Sequence, residues 1–115
     1  MAKPKKKRTV HSPPPVSLFK PQGIPAHQLE HIILHIDEYE ALRLVDFRGM
    51  DLESAAKELS VSRATCARIA TEARKKVAEA ITLGKAIRIE GGVFQISSPG
   101  HGWRGGRGRN RLSGD

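Results

Sequence analysis

The clearest alternation of apolar and polar positions lies between Asp51 and Ala73, DLESAAKELSVSRATCARIATEA. Ala55, Ala56, Leu59, Val61, Cys66, Ile69 and Ala73 are its apolar or small positions. Their spacing does not trace one continuous helical stripe; it suits two helices packed across each other through a turn. Asp51 is a helix N-cap, so Leu52 to Leu59 forms the first helix. Ser60-Val61 makes the turn, and Ser62 caps a second helix that opens at Arg63. Ala56 is small where the helices approach, and Val61 plugs the angle between them. This is the sequence form of a helix-turn-helix.

Other elements follow from the same patterning. DEYEALRLVDFRG begins a helix at Asp37, with Glu40 three residues on as a capping box. Tyr39, Leu42 and Val45, flanked by Ala41 and Leu44, form its apolar face, and Gly49 ends it. The helix from Arg63 continues to Thr82 and stops at Gly84. The period then changes. Ile87 and Ile89 alternate with Arg88 and Glu90, Gly91-Gly92 follows, and Val93 to Ile96 resumes the apolar run. A Gly-Gly turn sets Ile89 opposite Phe94 and Ile87 opposite Ile96, which predicts a β-hairpin over 85–96. Residues 27–36 read both ways. His27, His31 and His35 share a face if helical, whereas Ile32, Leu34 and Ile36 alternate as in a strand. Surface histidines are the reading adopted there, with no metal site.

The expected fold is therefore mainly α: a three-helix helix-turn-helix domain over 27–84, an appended β-hairpin over 85–96, and disordered basic tails. The tails are a Pro-rich arm, 1–26, and a Gly/Arg-rich segment, 97–115, containing Trp103, Arg104, Arg107, Arg109 and Arg111. With 115 residues, 38% of them hydrophobic, the chain is long enough for one small core.

Charge changes the picture more than composition does. The net charge of +8 is spread as +5 over 1–30, −4 over 31–59, +3 over 60–84 and +4 over 85–115. A polyanion is expected to meet the second half of the helical unit and the tails. The single cysteine, Cys66, has no intramolecular partner and suits a reducing cytoplasm. No apolar run is long enough to span a membrane. The acidic residues are read as caps and solvated helix faces. With no nucleophile–base pairing or phosphate loop in view, neither an enzyme nor a cofactor is expected.

DEYEALRLVD at 37–46, ESAAKELSVSRATCARI at 53–69 and ARKKVAEAITLGKAIRIEGG at 73–92 resemble a small prokaryotic family of uncharacterised, predicted DNA-binding proteins. Its helix-turn-helix is similar to region four of sigma factors. The likeness spans residues 3–96. Ser60 stands in place of the usual turn glycine, and Lys7 stands where many relatives have cysteine. The Gly/Arg tail lies outside the shared region. The resemblance implies that the start of the second helix meets base edges, through Arg63, Ala64, Thr65, Ala67 and Arg68. The helical wheel adds Thr71 to the outward face, beside Lys75. Candidate phosphate contacts are Ser62, Lys75 and Lys76, with Lys3, Lys5, Lys6, Lys7 and Arg8 from the arm. The expected function is sequence-specific recognition of double-stranded DNA in transcriptional regulation. RNA polymerase, met through the acidic first helix, and a second copy of the chain are further candidate partners. The competing reading is an RNA-binding or nonspecific nucleoid protein dominated by its tails.

Overall fold

The computed structural model describes residues 7–96. Five strands and three α-helices make an α/β fold, which corrects the mainly α expectation. In chain order they are β1 (Arg8–Val10), β2 (Leu18–Phe19), β3 (His31–Leu34), α1 (Ile36–Leu42), α2 (Leu52–Leu59), α3 (Arg63–Leu83), β4 (Ala86–Ile89) and β5 (Phe94–Ile96). Short 3-10 and π-helical segments occupy Ala26–Gln28 and Arg43–Phe47.

The strands form two sheets. One has the order β2-β4-β3, with β4 antiparallel to β2 and parallel to β3. All three helices lie in the crossover between β3 and β4. The other is a parallel pair, β1 with β5, in which Arg8 faces Phe94 and Val10 faces Ile96. The predicted hairpin over 85–96 is thus absent: β4 and β5 do not pair with each other. Gly91 and Gly92 adopt φ of 74° and 99°. Instead of reversing the chain, they carry it across the start of α1. There the Ile36 amide donates to Gly91 O at 2.9 Å. A Cβ on Gly92 would stand 2.8 Å from His35 Cβ, so only glycine passes. This crossing delivers β5 to β1. It also overturns the expected disorder along the arm beyond residue 6, because Val10 is fully buried and Arg8 nearly so.

Two apolar clusters meet at α1. Ala41, Leu44, Ala55, Ala56, Leu59, Cys66, Ile69 and Ala70 join α1 and the π-helical segment to α2 and α3. On the sheet side, Leu34, Ala73 and Ile89 form a second cluster, against which Ile36, Tyr39, Leu42 and Ile87 pack. Small alanines on α3 let it approach both partners closely. Cys66 is buried in the first cluster, and burial pushes its thiol pKa up.

The acids of α1 are not solvated, contrary to the sequence reading. Asp37, Glu38 and Glu40 are buried, and each has a cation. Asp37 faces Arg8 at 3.7 Å, Glu38 takes a 2.7 Å bond from Lys76, and Glu40 receives Arg43 through two 2.9 Å bonds. Glu40 also accepts from the His11 amide at 3.0 Å. The cap of α1 shifts accordingly. Its N-cap is His35, whose amide donates to Glu38 at 2.9 Å, instead of the expected Asp37–Glu40 box.

Candidate nucleic-acid interface

The helical pair begins and ends where local chemistry places it. Asp51 accepts from the Ser54 amide at 2.8 Å and opens α2. That bond is the main cause holding the Asp51 carboxyl below its ordinary pKa, with the Ser54 hydroxyl, Arg63 and Lys57 adding to it. Ser60 closes α2 at φ 61°, ψ 42°, the only non-glycine residue with positive φ among the described residues. Its hydroxyl shares a 2.8 Å hydrogen bond with Thr9 of β1. Ser62 opens α3, accepting from the Thr65 amide at 3.1 Å and donating to the Thr65 hydroxyl at 3.0 Å. Gly84 ends α3 at φ 68°.

On this frame Arg63, Ala64, Arg68, Thr71 and Lys75 are exposed along α3, while Cys66, Ile69, Ala70 and Ala73 are buried beneath them. Thr65 and Ala67 are half-buried at the edge of the row. Arg63, Arg68 and Lys75 have no ion-pair partner among the described residues. Arg68 lines a hollow of about 220 Å³ together with Arg8, His35, Asp37, Glu38 and Glu72.

Two expected phosphate contacts are used inside the fold instead. Lys76 is drawn inward, its ammonium donating to Ile33 O at 2.8 Å as well as to Glu38. Arg8, only 6% exposed, lies against Asp37. Ser62 keeps an exposed side chain, but its Oγ already serves the cap. Lys7 is exposed, while Lys3, Lys5 and Lys6, Trp103 and the tail arginines lie outside the described residues.

Sequence reasoning missed the strap beneath the turn. β1 runs beside α2, and beyond it His11 Nε2 lies 2.8 Å from Glu58 O and 3.2 Å from a Glu58 carboxylate oxygen. No local signal marks it, because its partners stand about fifty residues away. The three histidines do not share a face. His27 lies in the 3-10 turn, His31 in β3 with its ring against Ala26 O at 2.9 Å, and His35 at the cap of α1. Among the described residues no cluster of three or more His, Cys, Asp or Glu is placed to hold a metal ion, and no helix is long and apolar enough to cross a membrane.

A family model described as "Protein of unknown function DUF134" matches residues 1–97, a span that holds every element above. The chain belongs to the DUF134 family. Curated relatives of the chain carry the name UPF0251 protein. One from Caldanaerobacter subterraneus subsp. tengcongensis is 48% identical over 105 residues, covering 89% of each chain. Another, from Desulfosudis oleivorans, is 46% identical over 99 residues, covering 86% of this chain and 72% of the relative. A third, from Moorella thermoacetica, is 42% identical over 110 residues, covering 90% and 74%. No solved structure matches. The candidate row on α3 therefore lies wholly within the DUF134 region, and the Gly/Arg tail after residue 97 lies beyond it.

Proposed function

We propose that the chain is a sequence-specific DNA-binding protein that regulates transcription, with α2 and α3 as a sigma-region-four-like helix-turn-helix. The observation that carries this reading is the exposed face at the start of α3. It presents two arginines, a lysine and small residues, with no ion pair among the described residues to occupy the cations. In this reading α3 lies in the major groove. Arg63 and Arg68 offer bidentate donors to guanine, and Ala64, Ala67 and Thr65 meet thymine methyl groups. The free amides of the first turn of α3, with Lys75 further along, hold phosphates. Lys7 and the lysines before it add contacts that do not depend on sequence. The other face of the domain supports a DNA partner over an acid-mediated polymerase contact, because the α1 carboxylates are buried in internal pairs.

The test is a titration of wild type, Arg68→Ala and Lys75→Ala against a selected duplex and a scrambled one at fixed salt. Arg68→Ala costs about 1–3 kcal/mol on the selected site and much less on the scrambled one, whereas Lys75→Ala weakens both alike. Equal losses for Arg68→Ala on both duplexes reduce it to a phosphate contact. Preference for RNA over duplex in competition overturns the reading in favour of the tails.

A further inference from the structure

Away from α3 the fold leaves an apolar groove of about 530 Å³ between the Pro-rich segment, the side of α1 and the sheet. Pro14, Val16, Phe19, Tyr39, Phe47 and Ile89 are among its walls. Phe47 is 85% exposed and Phe19 53%, although both are large aromatic side chains. The π-helical turn accounts for Phe47: the Arg48 amide donates five residues back to Arg43 O at 2.8 Å, and the widened turn leaves the ring on the outer side. The two charged residues at the rim are already paired within the chain, Arg43 with Glu40 and Asp46 with Arg74. The groove therefore offers contact area and aromatic faces in place of a strong field, which suits a mostly apolar occupant.

The register of β1 and β5 indicates which occupant is near. Val10 and Ile96 are paired in parallel, so β5 ends beside the point where residues 11–15 lead away from Val10. That path leads to the groove wall at Pro14, four residues on and hence at most about 14 Å away. Paired strands lie about 4.8 Å apart. Trp103, the single tryptophan of the chain, stands seven residues beyond Ile96, a reach of up to about 25 Å. An indole brings about 150–250 Å² of mostly apolar surface and prefers aromatic and proline neighbours of this kind. Arg104 follows it directly, with the faces of Tyr39 and Phe47 at the rim to stack against a guanidinium. Because the segment is tethered, weak contacts suffice: a short linker holds it at an effective concentration of about a millimolar.

We infer that the groove holds the chain's own C-terminal segment, with Trp103 filling it and Arg104 at its aromatic rim. The single tryptophan makes this directly readable in the full chain. Wild type shows emission blue-shifted from that of N-acetyltryptophanamide, with acrylamide quenching several-fold weaker and both independent of protein concentration. Phe47→Asp, at a position too exposed to disturb folding, returns the emission and the quenching toward the free values, while Phe47→Leu retains most of the protection. Circular dichroism of the variants confirms that the fold is kept. Solvent-exposed emission in the wild type overturns the proposal. So does a blue shift insensitive to Phe47→Asp, which places Trp103 elsewhere. A shift that grows with concentration together with a doubling of mass by light scattering assigns the groove to a second copy instead.

Discussion

Replacing Ser60 with glycine probes the turn between α2 and α3 through two opposing effects. At φ 61°, ψ 42° a side chain costs about 1–2 kcal/mol relative to ordinary helical backbone. Glycine removes that cost, but it also loosens the unfolded chain, which returns about 0.4–1 kcal/mol. The backbone gain is thus about 0.5–1 kcal/mol. Against it stands the exposed 2.8 Å hydrogen bond between the hydroxyls of Ser60 and Thr9, worth about 0.5 kcal/mol at the weak end for neutral bonds. In wild type, Ser60→Gly therefore stabilises by no more than about 0.5 kcal/mol. In a Thr9→Ala background it recovers the full backbone gain, a rise of about 2–8 °C in the melting midpoint. Thermal melts of the four proteins close a double-mutant cycle with a coupling of about 0.5 kcal/mol. The reasoning fails if glycine is no more favourable in the Thr9→Ala background than in wild type, or if it lowers the midpoint in that background.

Other substitutions test the interior. Glu40→Ala leaves Arg43 and the His11 amide without their shared acceptor, and is expected to cost about 3 kcal/mol by urea unfolding; a loss below about 1 kcal/mol would mean that both groups reach water. Gly92→Ala meets His35 Cβ at 2.8 Å as well as an unfavourable φ, whereas Gly23→Ala meets only the φ in open space. The first is expected to lower the melting midpoint clearly more than the second. For Asp37, desolvation raises the carboxyl pKa above its ordinary 3.8, a rise that the nearby Arg8 guanidinium only partly opposes. The folded state then holds a proton that the unfolded state has lost, so this group's contribution falls as pH rises from near 3.8 through the higher folded value. Asp37→Asn removes that fall, and urea midpoints across the acidic range for both proteins decide it.

What could be read in the sequence divides by distance along the chain. The caps at Asp51 and Ser62, the turn at Ser60 and the glycine stop at Gly84 all depend on neighbours within a turn, and the structure places each as the local pattern implies. The outward row on α3 was legible for the same reason, since a helical wheel needs only one helix. The strands were legible only in part: the alternation at Ile87 and Ile89 and the run to Ile96 mark β4 and β5, but not the partners they take. β1 and β2 are three and two residues long, too short to show a period, and β1 exists because of a partner at 94–96. Gly91-Gly92 has the composition of a tight hairpin, yet the space over His35 and Asp37 takes the chain elsewhere. The carboxylates of α1 looked solvated because Arg8 and Lys76, which neutralise two of them, lie about thirty to forty residues away. The same distance hid the inward turn of Lys76, one residue beyond the exposed Lys75.

The placement of β4 bears on the order in which the protein can assemble during synthesis. β4 is the middle strand of its sheet, but it follows both neighbours and all three helices in the chain. Until residues 86–89 leave the ribosome, β2 and β3 have no strand between them. β1 waits longer still, for residues 94–96. The helical pair, built from local contacts, can form while both sheets are still incomplete, whereas the strap under its turn arrives last. A nascent chain halted before β4 would therefore expose the apolar side of α1, including Ile36, and the sheet residue Leu34, and completing the final strands is the step that removes them from water.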